Sequence, residues 1–113
     1  MENSKLIFKK IDSDLIFLNK HLLINLDDVI CFVALSNYTT IHLITGKKIV
    51  VAKTLKNFEQ SIPLNETIRI HRSYLVNKKH ILTNTFFNKT KLELSNGFSV
   101  PISRRMYKNI LSA

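Results

Sequence analysis

The sequence has few of the residues on which several kinds of functional site depend. Its two glycines stand alone at positions 46 and 97, so it contains no glycine-rich loop of the kind that cradles a phosphate. The single cysteine, Cys31, excludes an internal disulfide and lies in an apolar run, where a reduced core thiol is expected. No apolar run approaches the roughly 18 residues of a membrane-spanning helix, and no secretory signal pattern begins the chain. We therefore expect a cytoplasmic protein that does not enter a membrane.

The titratable residues do not form a pattern typical of an enzyme or a metal site. The four histidines are His21, His42, His71 and His80. They show neither an HExxH motif nor another ligand spacing. Asp27 and Asp28 form the only adjacent carboxylate pair, and they immediately precede an apolar run that reads as a strand. His71 and Ser73 would share one face of a strand, but a third member of a triad is not evident. We predict no catalytic residue, no metal and no cofactor.

Acidic residues are scarce in the second part of the chain. Residues 67–113 hold five lysines and four arginines against Glu93 alone, a net charge of +8, whereas residues 1–66 hold eight lysines against seven acids, a net charge of +1. The arginines are Arg69, Arg72, Arg104 and Arg105. So uneven a balance indicates a polyanionic partner, either nucleic acid or an anionic membrane face. A basic surface that serves only solubility is the alternative.

The hydrophobic pattern predicts one mainly β domain with one or two short helices. The predicted strands, all short, cover 5–8, 15–18, 21–24, 29–35, 40–45, 49–51, 68–71, 81–87, 91–94 and 98–100. Thr54 precedes apolar residues at i, i+3 and i+7, which predicts a short helix that Thr54 caps and Pro63 ends. A final short helix is expected over residues 104–111.

Short polar segments interrupt the apolar strand pattern at 36–39, 72–73 and 103–105, each after a predicted strand. We call these three segments the polar interruptions. In an antiparallel sheet, strand ends from distant parts of a chain gather on one edge, where loops can contact phosphates or base edges. Arg69 to Asn77 is the most informative stretch, because strand alternation there ends in a group of Arg, His, Arg and Ser side chains. A guanidinium group offers a planar fork of donors to phosphate or guanine.

Each interruption also has a simpler interpretation. In that interpretation Asn37 simply caps a turn, and the Tyr38 side chain is half-buried in the core. Arg72 can pair with a surface acid, although Glu93 is the only acid beyond residue 66. Arg104 and Arg105 would begin a helix, where the helix dipole disfavours positive charge. Because this placement destabilises the helix, it favours a role for the two arginines other than stabilising the fold.

Six segments of the chain resemble, in order and spacing, a LytTR-type DNA-binding domain, which occurs in bacterial transcription regulators and often forms the output half of response regulators. The segments are Asp28–Ile30, Ala34–Thr39, Leu55–Phe58, Ile68–Asn77 followed by Ile81, Leu94–Gly97, and Val100–Arg105. Where the family commonly has a glycine before Asn-Tyr-Thr, this chain has Ser36. The resemblance covers about residues 24–112.

The resemblance implies an elongated fold of three small antiparallel sheets with a short helix, whose loops enter successive major grooves of DNA. The base-contacting positions would be Asn37, Tyr38, Arg72 and Arg104. The phosphate-contacting positions would be Thr39, Ser73, Arg105 and Lys108. The implied partners are double-stranded DNA and a second protomer on paired sites.

We therefore expect residues 1–113 to form a single LytTR-like domain that regulates transcription by binding specific duplex sequences. No receiver domain precedes the motifs in this sequence, so the chain is expected to be either a stand-alone regulator or a fragment of a larger one. The alternative is a non-enzymatic interaction module that inhibits or partners a larger regulatory protein. Single-strand or RNA binding is a weaker hypothesis, because Phe86-Phe87 is the only aromatic pair able to stack on bases.

Overall fold

The computed structural model describes residues 15–19, 22–63, 65–82 and 90–107. Within these ranges, nine short strands form three antiparallel sheets. The strands are β1 Leu15–Asn19, β2 Leu22–Asn25, β3 Val29–Leu35, β4 Tyr38–Leu43, β5 Lys48–Val51, β6 Thr67–His71, β7 Tyr74–Asn77, β8 Lys91–Glu93 and β9 Ser99–Pro101. The helical elements are α1, Leu55–Ser61, and two 3-10 turns at Leu26–Asp28 and Lys78–His80. The principal dimensions of 49 × 27 × 25 Å and the three sheets confirm the expected elongated, mainly β fold.

A five-stranded sheet in the order β5-β4-β3-β7-β6 forms the middle of the molecule. The hairpins β1-β2 and β8-β9 form the two smaller sheets. In the central sheet β3 pairs with β4 and β7, and β7 pairs with β6, all antiparallel. The β3–β4 turn and the β6–β7 turn therefore lie at the same end of this sheet.

The central sheet is covered on both faces by apolar residues. On one face Phe32, Ile41 and Leu75 pack with α1 and the β1-β2 hairpin, and the rings of Phe32 and Phe58 lie 4.9 Å apart. The residues packed on the other face are Ile30, Cys31, Ile68, Ile70, Val76, Ile81, Leu92, Leu94, Val100 and Ile102. Burial on both faces explains why β3 reads as a continuous apolar run rather than an alternating one. A sheet packed in this way gives its end turns a rigid support.

Helix α1 begins and ends as its sequence predicts. The Thr54 hydroxyl oxygen accepts a hydrogen bond from the Asn57 backbone N–H at 3.3 Å, which satisfies a first-turn donor. Leu55 and Phe58 are buried, and the helix ends at Ser61, two residues before Pro63. No helix in the described part of the chain is long and apolar enough to cross a bilayer.

Several boundaries differ from the sequence prediction. Strand β4 begins at Tyr38 rather than residue 40, because Ser36 adopts a positive φ of 56° and the turn then needs only two residues. Ile81 forms a single bridge with Leu94 instead of starting a strand, and residues 83–89 lie outside the described residues. Residues 104–106 form a turn, and the remainder of the predicted final helix beyond 107 lies outside them, as does the predicted strand 5–8.

Candidate nucleic-acid interface

Two of the polar interruptions lie side by side at one end of the central sheet. The 36–37 turn joins β3 to β4, and the 72–73 turn joins β6 to β7. Strands β3 and β7 are neighbours, and the Ala34 backbone N–H donates to the Ser73 carbonyl oxygen at 2.9 Å. The topology thus brings together residues that are more than 30 positions apart in the sequence.

The third interruption completes this edge. The Ser103 backbone N–H donates to the Ile70 carbonyl oxygen at 2.8 Å, which places residues 103–106 beside β6. The Ser103 hydroxyl oxygen accepts from the Met106 N–H at 3.1 Å and closes a turn over Arg104 and Arg105. An open groove of about 430 Å³ separates this turn from the 72–73 turn. Its lining residues are His71, Arg72, Ser103, Arg105 and Met106. We call the turns 36–37, 72–73 and 103–106 together the rim.

The rim carries exposed positive charge. Arg72, Arg104 and Arg105 are exposed, and none of the three takes part in either salt bridge found among the described residues. The acidic Asp27-Asp28 pair directly precedes the first residue of β3, and Glu66 directly precedes β6, so these acids lie at the opposite end of the sheet. The rim therefore carries arginines with no acidic residue among them, whereas the opposite end of the sheet mixes these acids with lysines, and Asp27 there pairs with Lys79.

The 36–37 turn also presents apolar surface. Asn37 is exposed, and Leu35 and Tyr38, which pair across the hairpin, are 55% and 50% exposed. Sequence reasoning missed Leu35 because it closes an apolar run that reads as buried strand. The signal available was its place directly before a two-residue turn, opposite Tyr38.

The residues expected to contact phosphate are placed differently from one another. Arg105 is exposed and Ser73 is half-buried within the 72–73 turn. Thr39 is fully buried, and its hydroxyl donates to the Lys53 carbonyl oxygen at 2.5 Å. It therefore joins the start of β4 to the segment after β5 and does not reach the surface. Lys108 lies outside the described residues.

Arg69 does not belong to the exposed edge of donors that the sequence suggested. Its side chain is only 18% exposed, and its Nη1 lies 2.7 Å from Glu59 Oε1 on α1. Its Nε donates to the His71 carbonyl oxygen at 2.8 Å and its Nη2 to the Arg72 carbonyl oxygen at 2.6 Å. The guanidinium group is therefore turned inward, onto the backbone of the 72–73 turn.

Away from the rim, the described residues offer little reactive chemistry. They contain no group of three or more side chains able to hold a metal ion. Burial raises the pKa of the Cys31 thiol to about 12, so it is protonated and a poor nucleophile. Burial, and then the charge of Lys48, lowers the pKa of His42.

The sequence is similar to a known domain family and to known regulatory proteins. Residues 19–113 match the sequence model of the LytTr DNA-binding domain. The chain is 34% identical over 88 residues to the sensory transduction protein LytR of Staphylococcus epidermidis, which covers 76% of this chain and 34% of that protein. It is 37% identical over 78 residues to the transcriptional regulatory protein BtsR of Escherichia coli K12, covering 67% and 30% respectively. The chain spans about a third of the length of these curated relatives.

The fold itself matches a solved LytTr DNA-binding domain from Bacillus cereus, with a TM-score of 0.69 over 88% of this chain and 98% of that one. At 24% identity this similarity is one of fold. The family's sequence model accounts for most of the chain, including all three rim turns. The chain therefore belongs to the LytTr DNA-binding domain family.

Proposed function

We propose that this chain binds double-stranded DNA in a sequence-specific way and acts as the DNA-binding part of a transcriptional regulator. The observation that carries the proposal is the rim, where three turns from separate parts of the chain hold Arg72, Arg104 and Arg105 exposed at one end of a rigid sheet. Positive charge gathered on one surface attracts the phosphate backbone, and fixed turns can present side chains to base edges.

The width of the rim supports a duplex as the partner. It crosses β4, β3, β7, β6 and the segment at residue 103, which are hydrogen-bonded in that order. At about 4.8 Å between neighbouring strands, this distance is roughly 20 Å. A major groove is about 12 Å wide, so the rim is too wide to lie within one groove. We propose that its outer turns reach successive major grooves while its centre lies over the backbone between them.

The side chains at the rim suit particular contacts. We assign Arg72 and Arg104 to guanine, whose O6 and N7 atoms match the two parallel donors of a guanidinium group. Asn37 can bond the N6 and N7 atoms of adenine in the same bidentate way. We assign Tyr38, with Leu35 beside it, to apolar contact with thymine methyl groups.

The proposed phosphate contacts are Ser73, Arg105 and Lys108. Thr39 has a supporting role in this proposal, because its hydroxyl is engaged with the Lys53 carbonyl oxygen. We further propose that two protomers bind paired sites, that the domain has no enzymatic activity, and that it works where bacterial DNA lies, in the cytoplasm. No metal or cofactor is required for these contacts.

The proposal can be tested by letting the folded chain, residues 1–113, select duplexes from a random-sequence library. Fluorescence anisotropy would compare the selected duplex with a shuffled duplex of the same composition. Arg104→Ala is expected to lose about 1–3 kcal/mol on the selected duplex and much less on the shuffled one. Lys108→Ala is expected to weaken both alike and to reduce the salt slope by about one unit.

Lys47→Ala is the matched control, because Lys47 is exposed in the β4–β5 turn at the end of the sheet opposite the rim. It should change neither affinity by more than about twofold. Equal losses on both duplexes for Arg104→Ala would contradict its assignment to a base. If the folded chain enriches no duplex, the proposal fails and the protein-interaction alternative takes its place. If the chain binds single strands better than duplexes, the proposal also fails and the single-strand hypothesis takes its place.

A further inference from the structure

We propose that Arg69 is a positioning residue that fixes the 72–73 turn for DNA binding without touching DNA, and that Glu59 on α1 holds it in place. The inference rests on the proposed function in that the turn it fixes carries Arg72. Among the hydrogen bonds of the described residues, Arg69 is the one arginine whose guanidinium group bonds backbone carbonyls of the rim. The strand pattern of the sequence groups it with Arg72 as a donor near the end of a strand.

The backbone of the 72–73 turn is held at four consecutive carbonyl oxygens. The Ile70 carbonyl accepts from the Ser103 backbone N–H, and the Ser73 carbonyl accepts from the Ala34 backbone N–H. The carbonyls of His71 and Arg72 accept from Nε and Nη2 of Arg69. The two outer carbonyls thus tie the turn to its neighbours in the rim. The two inner carbonyls, which flank the Arg72 side chain, both accept from the single guanidinium group of Arg69.

The strand pairing is irregular beside this turn, which makes added support from Arg69 important. Arg69 pairs with Leu75, but His71 pairs with Tyr74, so the register shifts between them. The bulge lies directly before the 72–73 turn, on the outermost strand of the central sheet, where the Arg69 side chain bonds the carbonyls of His71 and Arg72. Only a planar fork reaches two adjacent carbonyls and a carboxylate at once, and lysine cannot replace it.

Glu59 anchors the other side of the fork. Its Oε1 lies 2.7 Å from Nη1 of Arg69, and its side chain is 39% exposed against 18% for the arginine. The pair connects α1 to the 72–73 turn across the edge of the sheet. A change at the exposed surface of α1 that withdraws the Glu59 carboxylate would loosen the turn and weaken DNA binding.

The first test uses DNA, again the selected and shuffled duplexes. Arg69→Lys keeps the charge and is expected to lose about tenfold in affinity for the selected duplex, with less than about twofold change on the shuffled one. Arg69→Gln should leave the salt slope unchanged, because no phosphate contact is removed. In an Arg72→Ala background, adding Arg69→Gln should lower the affinity for the selected duplex by less than about twofold, because Arg69 acts through Arg72. Lys47→Gln removes one charge far from the rim and serves as the control.

The second test needs no DNA. Hydrogen exchange followed by NMR should show faster exchange of the Ser73 and Ala34 amides in Arg69→Gln, and a smaller increase in Glu59→Gln. The Ile41 amide in the middle of the central sheet should exchange at an unchanged rate. All measurements are made well below the thermal midpoint of each variant, so that global unfolding does not contribute.

Three results would overturn the inference. One is a salt slope about one unit lower in Arg69→Gln, which would make Arg69 a phosphate contact. Another is full additivity of Arg69→Gln and Arg72→Ala on the selected duplex. The third is unchanged exchange of the Ser73 and Ala34 amides, which would show that the turn does not depend on Arg69. A chain that selects no duplex refutes the proposed function, and the exchange experiment still decides whether Arg69 holds the turn.

Discussion

Replacing Asn77 should cost more stability than replacing any other polar residue described in this structure. Asn77 is fully buried at the end of β7. Its Nδ2 donates to the carbonyl oxygens of Leu26 and Val29, both at 2.9 Å, and its Oδ1 accepts from the Lys79 backbone N–H at 3.0 Å. One side chain thus joins the segment before β3 to the segment after β7, across about 50 positions of sequence.

The magnitude follows from these three bonds. A typical intramolecular hydrogen bond contributes about 1 kcal/mol net, and a buried polar group left without a partner costs about 1–3 kcal/mol. Asn77→Ala removes the amide donor from both carbonyls, of which that of Leu26 keeps the Val29 backbone N–H, and leaves a small cavity, so we expect a loss of about 2–4 kcal/mol. Native domains have only about 5–15 kcal/mol in total. Asn77→Asp should lose more at pH 7, where a carboxylate would face two carbonyl oxygens, and less near pH 4, where the neutral acid can donate to one.

Urea unfolding followed by far-UV circular dichroism measures these losses, since the chain has no tryptophan to report by fluorescence. Asn65→Ala, at an exposed turn position, is the matched control and should lie within about 0.5 kcal/mol of the unchanged chain. A loss below about 1 kcal/mol for Asn77→Ala would refute the reasoning, because the two carbonyls would then be satisfied without the amide. The same conclusion follows if Asn77→Asp loses no more stability than Asn77→Ala at pH 7.

Three further predictions concern other residues. Ser36→Gly should raise the free energy of unfolding by about 0.5–1 kcal/mol, because Ser36 has a φ of 56° that glycine adopts without strain; a loss in urea unfolding would contradict this. Cys31 should resist alkylation at pH 8 in the folded chain and react only in denaturant, because burial raises its pKa to about 12; rapid labelling of the folded chain, detected by mass spectrometry, would show that the thiol is accessible. Burial and the charge of Lys48 lower the pKa of His42 in the folded chain. As the pH falls, His42 is therefore protonated in the unfolded chain at a higher pH than in the folded chain, and the free energy of unfolding should fall below about pH 6.5. His42→Gln should remove that part of the pH dependence, and an unchanged pH profile would contradict the assignment.

Local patterns in the sequence were sufficient for most of the elements and for the family. Helix α1 was predictable because Thr54, its apolar spacing and Pro63 act within about ten residues of one another. The strand order was not predictable, since pairing in the central sheet depends on both faces being covered at once. The strand boundary at Tyr38 was missed for a related reason, as a serine with positive φ is rare and the surrounding sheet must hold it.

The roles of individual polar residues were decided only by tertiary structure. The sequence identified Arg69, Arg72, Arg104 and Arg105 as basic residues near strand ends, and by itself it determined that positive charge gathers in the second part of the chain. It could not show that Arg69 turns inward, because that depends on Glu59 lying ten positions away on α1. Likewise Thr39 is buried because the segment after β5 passes over its hydroxyl. Composition and spacing determine which chemical groups are available, whereas the packing of distant segments determines which of them face solvent.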